Sequence, residues 1–138
     1  MLNILVLDDA VVIRSLLRLT LTSDDHVVDE AQTVDTAIEF AQSKSYDLIL
    51  CDFMLDDGET GLDFIKAART ESLNKNTPIV MLSAEDSNAH RDILKTYQVS
   101  AWIKKPFTPI GLLRVIYKVL NIDYKESKHA LFTEVSKA

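Results

Sequence analysis

The run Leu48-Ile49-Leu50-Cys51-Asp52-Phe53-Met54-Leu55 decides the fold. Its first residues are apolar without a break, and none alternates with a polar one. Such a strand is covered on both faces, which is the habit of a parallel sheet. The run then stops on a carboxylate, Asp52. Working outward, the same design recurs. Upstream, Ile4-Leu5-Val6-Leu7 ends at Asp8-Asp9, and His26 to Ala31 reads as a further strand. Downstream, Pro78 introduces Ile79-Val80-Met81-Leu82, which ends at Ser83. Ala101-Trp102-Ile103 is a short last strand ending near Lys105-Pro106.

Helical spacing fills the gaps between strands. Ile13, Leu16, Leu17, Thr20 and Leu21 mark a first helix, and Val34, Ala37, Ile38 and Ala41 a second, with Thr33 as its N-cap. A loop from Asp56 to Gly61 leads into Leu62, Ile65 and Ala68. Ala89, Ile93, Leu94 and Tyr97 suggest a fourth helix capped by Ser87. Thr108 caps the last one, with Pro109 at its first position. Strand and helix alternate throughout, so right-handed crossovers give a doubly wound five-stranded α/β fold with helices on both faces. In such folds the functional crevice lies at the carboxyl ends of the strands.

A chain of 138 residues fits one domain with a core that needs no staples. The lone Cys51 excludes an internal disulfide framework and fits a reducing compartment. The opening lacks the basic and long apolar regions of a signal peptide, and no stretch is long enough to span a membrane. A cytoplasmic location is expected. The net charge of −6, with no basic stripe, argues against nucleic acid or an anionic membrane as a partner.

The strand ends carry the chemistry. Asp8, Asp9, Asp52, Ser83 and Lys105 are scattered in sequence, and the fold brings them to one rim. Any one acidic residue there is explained by loop and cap preferences; Asp9 alone reads as a cap for the first helix. The set is not explained so simply. Carboxylates pressed together repel, and a hard divalent cation such as Mg²⁺ suits their oxygens. Lys105 adds a positive charge, and the Ser83 hydroxyl can donate to a phosphate oxygen. Metal, cation, hydroxyl and carboxylate nucleophile are the parts of a phosphoryl-transfer site.

The segments Leu7-Asp8-Asp9, Leu50-Cys51-Asp52-Phe53-Met54-Leu55, Val80-Met81-Leu82-Ser83-Ala84-Glu85 and Lys104-Lys105-Pro106-Phe107, in this order and spacing, resemble the receiver domain of two-component response regulators. The resemblance covers about residues 2 to 120. It implies a flavodoxin-like sheet of order 2-1-3-4-5, an order for which the family supplies a standard example. It implies that Asp52 accepts a phosphoryl group from a sensor histidine kinase or phosphotransfer protein. Asp8, Asp9, Asp52 and the main-chain carbonyl of Met54 would hold Mg²⁺, with Asp8 acting partly through water. Lys105, Ser83 and the main-chain N–H of Ala84 would bind the phosphoryl group. Ser83 and Trp102 would form the switch that reports to a downstream protein target. Pro106 would follow a cis peptide bond. Residues 1–121 would form the receiver and 122–138 a tail.

Some positions depart from the family pattern. Asp56 stands where Pro is common, and the loop to Gly61 is one residue longer than usual. Met54 and Glu85 occupy the positions that tune self-dephosphorylation. A Met side chain cannot orient an attacking water, so a long-lived phosphoryl state is expected. The segments Val11 to Arg18 and Ser100 to Pro109 look most like stand-alone chemotaxis-type receivers. His26, His90 and His129 show no metal-ligand spacing.

The last helix is apolar over much of its girth, with Leu113, Ile116, Tyr117 and Leu120 on one stripe and Leu112, Val115 and Val119 on a second. Either the tail covers the excess, with Leu131 and Phe132, or the fourth helix, fifth strand and fifth helix form a partner or homodimer surface. Rival functions match less well. A dehalogenase-type phosphatase needs Asp-x-Asp-x-Thr, whereas the acids here are adjacent. A flavin or nucleotide site needs a phosphate loop that Ala10-Val11-Val12-Ile13 does not offer. Two alternatives stand beside the phospho-switch: a receiver-shaped scaffold without phosphotransfer, and the receiver part of a longer regulator.

Overall fold

The computed structural model describes residues 1–55 and 58–123. Asp56 and the tail pair Leu131 and Phe132 lie outside the described residues, as does His129. The elements run β1 (Asn3–Leu7), α1 (Val11–Thr22), β2 (Val27–Ala31), α2 (Val34–Ser43), β3 (Leu48–Asp52), α3 (Gly61–Thr70), β4 (Ile79–Ser83), α4 (Arg91–Thr96), β5 (Ala101–Lys104) and α5 (Pro109–Leu120). All strands pair in parallel, in the order β2-β1-β3-β4-β5. The expected sheet is therefore the observed one.

The unbroken apolar runs now have a cause. Successive strand residues point to opposite faces, and both faces are covered. Leu5, Leu7, Ile49, Cys51 and Met81 face one layer, with Ala37, Ala41, Phe64, Ile65 and Ala68 from α2 and α3. Ile4, Val6, Leu48, Leu50, Val80 and Leu82 face the other, with Leu17 and Leu21 from α1 and Leu112, Leu113, Ile116 and Tyr117 from α5. Val115, Val119 and Leu120 are half-buried against this second layer, so the sheet itself covers part of both apolar stripes of α5. No helix among the described residues is long and apolar enough to cross a membrane.

The caps at Thr33 and Thr108 are as expected: their hydroxyls accept from Thr36 N at 3.2 Å and Gly111 N at 3.0 Å. Asn121, in the left-handed region at φ 56°, ends α5. The fourth helix departs from expectation. Ser87 does not cap it. The Asp86 carboxylate, one residue earlier, accepts from Asn88 N at 3.1 Å and starts a 3₁₀ turn over Ser87–His90. Only Arg91–Thr96 is α-helical, and none of its residues is fully buried. His26 lies just before β2 rather than in it. Its side chain turns inward, accepting Leu2 N–H on Nδ1 at 3.1 Å and lying 2.6 Å from the Tyr117 hydroxyl.

Two polar side chains fix the loops opposite the crevice. Arg69 at the end of α3 donates to the carbonyls of Asn74, Lys75 and Thr77 and also to those of Tyr97 and Gln98, where α4 ends. Asn74 is fully buried. Its oxygen accepts from Tyr46 N and Thr77 Oγ1, and its amide donates to Ala41 O and Lys44 O. Asn74→Ala leaves these buried groups unpaired and is expected to cost about 3 kcal/mol. Urea denaturation measures this; a loss within experimental error would show that the loop holds without the amide.

Candidate functional site

The carboxyl ends of β1 and β3 place Asp8 and Asp52 side by side, and Asp9 follows Asp8. One oxygen from each of the three carboxylates lies within 4.8 Å of the others. Asp8 is 0% and Asp52 4% exposed, so these charges sit in the fold and not on its skin. The loop after β5 brings Lys105 over them. Its ammonium donates to Asp8 at 3.1 Å and lies 3.2 Å from Asp52 Oδ1. The Lys105–Pro106 bond is cis, as expected.

Asp8 is further held by the Ala10 N–H, which donates to its Oδ1 at 2.9 Å. Arg14 donates to the Asp8 main-chain carbonyl at 2.8 Å and pairs with Glu30. The reading of Asp9 as a helix cap does not hold. α1 starts from Ala10 with no side-chain cap, so capping does not account for Asp9. Ser83 is buried at the end of β4, and its Oγ accepts from Glu85 N at 3.0 Å. Ala84 follows at the same rim. Met54 forms an antiparallel bridge with Thr60, and its side chain is 53% exposed beside the carboxylates' loop.

Gly61 positions this loop. Its N–H donates to Phe53 O at 2.7 Å. A Cβ there would lie 2.5 Å from the Asp52 carbonyl and 2.9 Å from Cys51 Sγ. Only a residue without a side chain lets α3 approach so closely. The sequence reading passed over this role, because Gly in a loop signals a turn before it signals close packing.

Trp102 lies beyond Ser83, and its indole N–H donates to the Glu85 carbonyl at 2.9 Å. His90, which spacing left without a role, belongs with these residues. Its ring stacks on Trp102 with centroids 5.0 Å apart and an angle of 14°. It also meets Phe53 at 4.4 Å.

The electrostatics follow from the packing. Burial pushes the Asp52 carboxyl up from an ordinary 3.8 to about 6, and the charge on Asp8 adds to the rise. Lys105 opposes it, and Asp9 adds a further push. Burial pulls the Lys105 ammonium down, but Asp8 and Asp52 outweigh that and hold it above its usual range. Among the described residues, one ammonium against three carboxylates leaves two surplus negative charges, and the donors are all hard oxygens. The set therefore fits a small divalent cation.

The family model for the response regulator receiver domain matches residues 4–117. This chain belongs to that family. The receiver domain as a class carries phosphorylation signals in two-component systems. Among curated relatives, the transcriptional regulatory protein ResD of Bacillus subtilis is 40% identical over 107 residues, which is 78% of this chain and 43% of that protein. This receiver spans about half the length of the curated relatives it matches. The chemotaxis protein CheY4 of Vibrio cholerae superposes with a TM-score of 0.81 at 34% identity, covering 86% of this chain and 98% of that one. TrrA of Thermotoga maritima, solved with Mg²⁺ and beryllofluoride, superposes with a TM-score of 0.73 at 28% identity, covering 86% of this chain and 99% of that one.

A raised carboxylate pKa has a definite linkage. Between about pH 4 and about pH 6 the folded receiver binds more protons than the unfolded chain, so stability falls as pH rises through that window. Asp52→Asn removes the penalty. In the absence of divalent cations it is expected to raise stability at pH 7 by roughly 2 kcal/mol, with the gain fading below about pH 4. Urea titrations across that range decide it; an unchanged stability at pH 7 contradicts the electrostatic account.

Proposed function

We propose that this receiver is a phosphorylation switch with Asp52 as its acceptor. The observation that carries the reading is the Lys105 ammonium bridging Asp8 and Asp52 at 3.1 and 3.2 Å beside Asp9. Asp52, titrating at about 6, is mostly ionised at neutral pH and is the buried nucleophile. One of its oxygens attacks the phosphorus of a phosphohistidine on a sensor histidine kinase or phosphotransfer protein. The phosphorus–nitrogen bond breaks as the phosphorus–oxygen bond forms, and the freed imidazole takes a proton from solvent. Lys105 holds the phosphoryl oxygens, and Ser83 and the Ala84 N–H donate to them.

Asp8, Asp9, Asp52 and the Met54 carbonyl would hold Mg²⁺, which supplies positive charge against the carboxylates and the phosphoryl oxygens. A neighbour of the same fold, TrrA, was solved with that ion and a phosphoryl mimic, which supports the choice. The switch pair is Ser83 and Trp102. The output face is α4, β5 and α5, and the absence of any fully buried residue in α4 supports it as the part that moves. We assign the receiver unit to residues 1–121 and the tail to 122–138.

Trp102 is the only tryptophan, so its emission reports on the site. Mg²⁺ followed by acetyl phosphate or beryllofluoride is expected to change that emission in the wild-type protein and not in Asp52→Asn. Intact mass should show one phosphoryl adduct. Silence in both measurements would leave a receiver-shaped scaffold.

The lifetime of the adduct is a separate matter. Met54 offers no group to orient water, and Glu85 is engaged with His90 at 2.6 Å. The phosphoryl group should therefore persist for minutes or longer, and Met54→Asn should shorten its life. A wild-type half-life of seconds, followed by phosphate release, would contradict this.

A further inference from the structure

Resting on the phospho-switch reading, we propose that His90 is the positioning residue that carries a change at Asp52 to Trp102. The three rings form a closed triangular cluster in which each touches the other two. Phe53 follows Asp52 in the chain, is 7% exposed, and meets His90 with centroids 4.4 Å apart. His90 lies almost parallel to Trp102, and Phe53 also reaches Trp102 at 5.5 Å. The imidazole thus packs against both a residue of the acceptor loop and the switch aromatic, and props the contact between them.

Glu85 fastens the cluster twice. Its carboxylate meets His90 Nε2 at 2.6 Å, and its carbonyl accepts the Trp102 indole N–H at 2.9 Å. Its own N–H donates to Ser83 Oγ at 3.0 Å. A Ser83 hydroxyl that turns to a phosphoryl group on Asp52 lets go of that N–H. Glu85 is then freed from β4, and both of its ring partners go with it. Trp102 cannot leave its place without giving up the face of His90. The 3₁₀ turn over Ser87–His90 makes the geometry possible, because it ends with His90 folded back over Phe53.

The test uses the whole chain with Mg²⁺ and beryllofluoride. Fluorine NMR scores the adduct, and Trp102 emission scores the response. His90→Ala is expected still to form the adduct at saturating beryllofluoride but to lose the emission change by about threefold or more, within the range by which residues between coupled sites alter the coupling. In this variant acrylamide should also quench Trp102 more strongly before any addition. His90→Phe restores a ring to the cluster without the bond to Glu85, and should recover the part of the response that ring packing carries. A full emission change in His90→Ala, or no recovery in His90→Phe, overturns the assignment. A wild-type protein with no fluorine resonance from an adduct overturns the acceptor reading, and this inference falls with it; an adduct with unaltered coupling overturns this inference alone.

Discussion

Like charges forced together need an answer, and much of this receiver is arranged around that need. A parallel sheet sends the ends of β1 and β3 to one rim, where Asp8, Asp9 and Asp52 meet. Lys105 reaches them from the loop that follows β5 and bridges two of the three. The remaining surplus is the reason that a divalent cation suits the place. Burial sharpens each of these terms, since charge interactions strengthen as water is removed.

The sheet and its rim were legible in the sequence because parallel strands leave an unusually plain trace. Their apolar runs do not alternate, and each run ends where the chemistry begins. Asp8, Asp52 and Ser83 could be brought together on paper with nothing more than the rule that strand ends share an edge. The caps at Thr33 and Thr108 were equally local, since a hydroxyl acts only on the next few amides.

The readings that failed, or were never made, depend on contacts that cross the fold. Ser87 and Asp86 both cap well, and nothing nearby says that Asp86 takes the role and turns the chain into a 3₁₀ turn. That turn decides where His90 points, so the link from Phe53 to Trp102 has no signature in spacing. Gly61 is similar. Its importance lies in the 2.5 Å that a Cβ would leave to the Asp52 carbonyl, which is a property of how α3 seats on β3.

Arg69 gives the molecule an asymmetry. Its guanidinium grips the carbonyls of Tyr97 and Gln98 at the exit of α4, while the entrance of that helix is tied to the rim residues through Glu85 and His90. No residue of α4 is fully buried, and Ile93 packs half-buried against the layer of α2 and α3. α4 is therefore held more firmly at its exit than at its entrance. A change at the carboxylate rim thus meets the softer end of the helix first, and the clamp of Arg69 limits how far it spreads along the chain.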